Sequence, residues 1–100
     1  MQDQTSLKEK IEEALKSPKV DPYMMHQYHI LMTKDPGIDL NTTKVHFLMR
    51  AKSGLDFKGK MGRIGGIYAI GMPYAELPDL INSPDVYRLE ASRPGGSFDN

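Results

Sequence analysis

The chain contains no cysteine. Disulfide scaffolds, thiol nucleophiles and cysteine-based zinc sites are therefore excluded, although the compartment stays open. Neither charge is in excess: thirteen Lys and Arg stand against thirteen Asp and Glu. Nucleic-acid binders draw much of their affinity from surplus basic side chains, so no nucleic-acid partner is expected. No apolar run approaches membrane-spanning length, and "MQDQTSLKEK" holds no apolar signal segment. No membrane partner is expected either. The chain is cytoplasmic if Met1 begins the native protein, and exported if a leader has been removed ahead of it. With 39% hydrophobic and 26% charged residues over 100 positions, it can build one small domain but not two comfortable cores.

The apolar spacing predicts helices first and strands afterwards. In "TSLKEKIEEALKS", Leu7, Ile11, Ala14 and Leu15 share one helical face, and Ser6 with Glu9 forms a capping-box pattern. "SPKVDP" breaks that helix. Asp21 then offers an N-cap and Pro22 a first helical position for "DPYMMHQYHILMTK", whose stripe is Met24, Met25, Tyr28, Leu31 and Met32. "KDPGIDLNTT" reads as turn chemistry. From Lys44 the period drops to two: Val45, Phe47, Met49 and Ala51 alternate with His46, Leu48, Arg50 and Lys52. "KMGRIGGIYAIGMP" reads as a hairpin turning at Gly65 and Gly66. "YAELPDLINSP" reads as a short helix with Leu77, Leu80 and Ile81 inward and Pro78 in its first turn. In "VYRLEAS" the set expected inward is Tyr87, Leu89 and Ala91. The common core should hold Val45, Phe47, Met49, Ile64, Ile70, Leu80 and Leu89, closed by Met25, Tyr28 and Met32.

No constellation in the chain carries catalysis. His26 and His29 stand at a spacing that could present two imidazoles to one metal. Two ligands do not make a site, and no third lies near in sequence, so no metal or other cofactor is expected. His46 reads as a surface residue on a strand. "GKMGRIGG" lacks the Lys-Ser or Lys-Thr pair and the following helix of a phosphate loop, so its glycines are assigned to turns. Lys58, Lys60 and Arg63 form a basic strip without interleaved aromatics, which reads as a solvated strand edge. Asn41 begins an Asn-Thr-Thr sequon, meaningful only in a eukaryotic secretory setting. A serine-protease triad is absent as a motif, so the chain itself is not expected to be an enzyme.

Residues 45–99 nevertheless resemble the propeptide domain of subtilisin-like serine proteases, in the form that precedes some bacterial members. "VHFLMRAKSG" resembles that domain's first strand, and "GRIGGIYAIGMP" its central hairpin ending in proline. "YAELPDLINSPDV" resembles its second helix and the entry to the last strand, and "YRLEASRPGGSFD" that strand with the linker into the protease. The resemblance implies an α+β, ferredoxin-like antiparallel sheet crossed by one helix. It also implies an intramolecular chaperone and temporary inhibitor, whose sheet packs on surface helices of the enzyme. Carried over by position, the segment lying in the protease cleft comprises Ser92, Arg93, Pro94, Gly95, Gly96, Ser97, Phe98 and Asp99.

The organisation so implied is a helical extension at residues 1–40, the prodomain at 41–92, and a linker at 93–100 toward a protease domain in cis, downstream. The full-length protein would then be a serine endopeptidase. One departure is structural: the family has a helix between its first two strands, and here only "SGLDFKG" joins them. A six-residue strand spans roughly 20 Å, which seven extended residues can just retrace. The two N-terminal helices are the expected replacement cover. Two other functions fit the same fold: a free-standing protein-interaction module, and a ligand-binding regulatory domain, which would need a concave polar pocket.

Overall fold

Two helices, a strand hairpin flanked by further strands and a third short helix follow one another as the periodicity implies. A computed structural model describes residues 5–57 and 59–91. Helix α1 spans Thr5–Leu15 and α2 spans Pro22–Lys34. Strands β1 (Lys44–Ala51), β2 (Lys60–Ile64) and β3 (Ile67–Pro73) follow. A 3-10 turn at Tyr74–Glu76 runs into α3 (Leu77–Ile81), and β4 (Val86–Ala91) comes last. The sheet is antiparallel throughout, in the order β2-β3-β1-β4. That order is the ferredoxin-like one, and the fold is α+β as expected.

Local chemistry explains most element boundaries. Asp21 caps α2 by accepting the Tyr23 N–H at 3.0 Å, with Pro22 in the first turn where its missing donor costs nothing. Pro78 likewise sits in the first turn of α3. Gly65 adopts φ +60°, the left-handed conformation that closes the β2–β3 hairpin. Helix α1, however, already includes Thr5, so Ser6 lies inside it and does not stand at its cap.

All three helices pack on one face of the sheet. Val45, Phe47, Met49 and Ala51 from β1 join Tyr68, Ile70 and Met72 from β3 and Val86 and Leu89 from β4. Ile11, Ala14, Leu15, Met24, Tyr28, Leu77 and Ile81 close the same core from the helices, with Met25, Met32 and Leu80 partly buried against it. Leu40, inside the segment read as a turn, is fully buried. Its carbonyl accepts the Ala75 N–H at 3.1 Å, which holds that segment against the 3-10 turn.

Ile64, expected in the core, lies outside it, and so does Tyr87, which the alternation groups with Leu89. The two-residue turn at Gly65 and Gly66 pairs Ile64 with Ile67, on the face away from the helices. Ile64 is 83% exposed, and Arg63 instead reaches over the Tyr68 ring, 6.0 Å from its centroid. In β4, Ala51 pairs with Val86 while Arg50 pairs with Arg88, so Tyr87 is the extra residue. Val86 is therefore buried and Tyr87 is 59% exposed.

The N-terminal helices cover the sheet toward β4 and α3. Helix α2 packs on β4, and α1 packs on α3 and the 3-10 turn. Over β3 the β1–β2 loop provides cover, with Phe57 edge-on to Tyr68 at 5.0 Å between centroids. The Tyr68 hydroxyl donates to the Lys52 carbonyl at 2.7 Å and accepts from the Leu55 N–H at 3.3 Å. One buried tyrosine thus pins the β1–β2 loop.

Another buried tyrosine is less well served. Tyr28 has no accessible surface, and its hydroxyl finds no hydrogen-bond partner among the described residues. Burial first, then the Glu12 carboxylate and then Tyr74, push its pKa above the usual tyrosine value. Burial pushes Tyr74 up as well. With the folded-state pKa raised, the unfolded chain loses its proton first, so stability is complete below pH about 10 and falls as pH rises beyond it. Tyr28→Phe keeps the ring and removes the unpaired hydroxyl. It is expected to leave stability unchanged or raise it by about 1 kcal/mol, and to flatten part of the alkaline loss. Urea midpoints at pH 7 and 10.5 check both; a loss exceeding 1 kcal/mol at pH 7 would show that the hydroxyl is satisfied.

Candidate functional site

The alternation that buries one side of each strand sets up the opposite side as a surface. On it, His46, Leu48 and Arg50 of β1 lie beside Gly71, Ala69 and Ile67 of β3, and Arg50 and Leu48 lie beside Arg88 and Glu90 of β4. Strand β2 adds Gly62 next to Ala69 and Ile64 next to Ile67. Among the described residues no helix lies on this face. Its apolar strip runs through Leu48, Ala69, Ile67 and Ile64 and continues to Met61, which is 65% exposed. The close approach there needs Gly71: a Cβ would come within 2.8 Å of the His46 ring and 3.0 Å of the Met61 sulfur.

The other half of the face is charged. The Glu90 carboxylate lies 3.4 Å from the Arg88 Nε and 3.7 Å from the Arg50 Nε. These are half-exposed pairs, worth about 0–1 kcal/mol to stability. Their consequence is compositional: two guanidinium groups share one carboxylate beside the apolar strip, which leaves the trio with a net positive charge.

The basic strip read from the sequence is engaged within the chain. Lys60 pairs with Asp56 at 3.2 Å, and Arg63 donates to the Gly65 carbonyl at 2.8 Å. Lys58 lies outside the described residues. His26 and His29 are exposed on α2, with their rings 5.8 Å from Tyr23 and 5.9 Å from Tyr28. His46 stands on the bare sheet face, far from both in sequence. Among the described residues no group of three or more His, Asp or Glu side chains could hold a metal.

Concave features are open grooves. One of about 470 Å³ has Phe57, Met72 and Leu80 in its lining, with Glu76 and Asp79 beside them. A broader one of about 820 Å³ separates α1 from α3.

The strand that leads to residues 92–100 is held more firmly than its sequence implies. Residues 19–21 run parallel to it, with the Asp21 N–H donating to the Leu89 carbonyl and the Leu89 N–H to the Lys19 carbonyl, both at 2.9 Å. The Lys19 ammonium donates to the Ile81 and Ser83 carbonyls at 2.9 Å, which caps the end of α3 just ahead of β4. The second Asp21 oxygen accepts the Ala91 N–H at 3.2 Å. Nothing in the sequence beyond the N-cap pattern at Asp21 points to this arrangement. The expected cleft segment, Ser92, Arg93, Pro94, Gly95, Gly96, Ser97, Phe98 and Asp99, lies outside the described residues.

Compared with known families, curated proteins and solved structures, the chain matches none.

Proposed function

We propose that this chain is the N-terminal prodomain of a subtilisin-like serine protease, which it binds, inhibits and helps to fold. The observation that carries this reading is the bare sheet face of a ferredoxin-like sheet whose helices all lie on the other side. An apolar strip of Leu48, Met61, Ile64, Ile67 and Ala69 left uncovered beside arginines is the composition of a surface that a partner covers. The edge strand β4 ends at Ala91, the residue that immediately precedes 92–100 in the sequence. The glycines of "PGGSF" let an extended backbone approach a cleft closely. The chain would contribute no chemistry: it would act as a bound substrate mimic, held by the sheet and ended by the tail.

The test is inhibition in trans of the mature protease encoded downstream in the same gene. The full chain should inhibit it. A version ending at Ser92 should unfold at the same temperature but inhibit at least tenfold less, because the sheet contacts survive and the cleft contacts do not. Equal inhibition by the two would make the tail irrelevant. If no protease is encoded there, or neither version binds it, the prodomain reading falls. A free-standing interaction module, using the same bare face for another partner, would then take its place.

A further inference from the structure

We infer that residues 19–21 are a clamp on β4 and that Asp21 is a positioning residue for the segment after Ala91. The inference rests on the prodomain reading, and it concerns a part of the chain that the family resemblance does not cover. The clamp grips β4 at both ends. Lys19 holds the two carbonyls that precede the strand, the backbone of residues 19–21 pairs at Leu89, and Asp21 takes the N–H of Ala91. Val20 between them is 4% exposed and Asp21 9%, so neither side chain is free to swing away. The carboxylate divides its work: Oδ1 caps α2 through the Tyr23 N–H, and Oδ2 reaches Ala91. The direction of β4 at Ala91 is thereby tied to the orientation of α2. An inhibitor whose tail must enter a cleft while its sheet sits elsewhere on the enzyme depends on that direction.

The division of labour makes the role separable from folding. Asp21→Asn keeps an acceptor for the Tyr23 N–H, since Asn is about as good an N-cap as Asp, but sets an amide donor against the Ala91 N–H. In the full chain, amide exchange at Ala91 should then quicken roughly five- to tenfold, with the melting temperature little changed. Ala91→Pro removes the same bond from the other side. Its N–H points away from β1 toward Asp21, where an edge strand tolerates proline. Both variants should raise the inhibition constant of the full chain about tenfold, the double variant no further, and neither should alter the version ending at Ser92. A merely structural role would weaken both versions alike, and that outcome overturns the proposal. So does an unchanged inhibition constant alongside faster Ala91 exchange, which leaves the prodomain reading intact. If the unsubstituted chain fails to inhibit at all, the prodomain reading has failed, and the positioning role goes with it.

Discussion

A chain beginning at residue 41 is expected not to fold. Its loss removes Ile11, Leu15, Val20, Met24, Tyr28 and Leu40 from the core, each between 0% and 4% exposed. Burying one such side chain contributes roughly 1.5–3 kcal/mol, while small domains are stable by only about 5–15 kcal/mol in total. Deleting these residues also deletes the entropy cost of ordering them, but it strips cover from what remains. Leu89, Val86 and Met49 would face water, β4 would lose its parallel neighbour, and α3 would lose both α1 and its Lys19 cap. The remnant would be a sheet with a single five-residue helix and no disulfide to compensate. Narrow amide chemical-shift dispersion and a non-cooperative melt are the expected readouts. A dispersed spectrum from residues 41–100 would show that the helical extension is an appendage and not part of the core.

Phe47→Ala should cost about 3–5 kcal/mol, the usual range for a large buried aromatic cut back to Cβ. Phe47 lies midway along β1, with Ile70 opposite it on β3 and Ala91 on β4, and it is 2% exposed. The cavity would open between sheet and helices, where neighbouring side chains are held in strands on both sides and have little room to collapse inward. A domain this small should then melt on the order of 15–30 °C lower. Urea unfolding at neutral pH measures the loss, and a cost below about 1 kcal/mol would place Phe47 outside the packed centre.

Periodicity made the central strand and the helices legible. The alternation through Val45, Phe47 and Met49 is unbroken because β1 is paired on both sides and has no bulge until its last residue. Asp21 and Pro22 marked the start of α2 through local chemistry alone. What failed was phase. A bulge inserts one residue without any compositional sign, which puts Tyr87 out of step with the sheet, and the two-residue turn at Gly65 and Gly66 hands Ile64 to the outer face with Ile67. Leu40 was missed for a related reason, since one apolar residue among turn formers has no period to betray it. The bare face was half legible: its membership is the complement of the buried alternation, but its exposure depends on all three helices choosing the other side. The second bond of Asp21 was beyond reach, because its partner lies 70 positions away.

That separation has a consequence for how the domain comes into being. The strand at the edge of the sheet is the last one made, yet it bridges to residues 19–21 and pairs with the central strand β1. Contacts of such long range slow folding, because the loop between them must close before they contribute. On a ribosome adding about 5–20 residues per second, α1 and α2 wait several seconds or more for the strand that completes their core. Until then Leu15, Val20 and Met24 have no β4 to pack on. The domain can therefore reach its native state only once its final strand has left the exit tunnel, and the two helices made first are the last to find their full core.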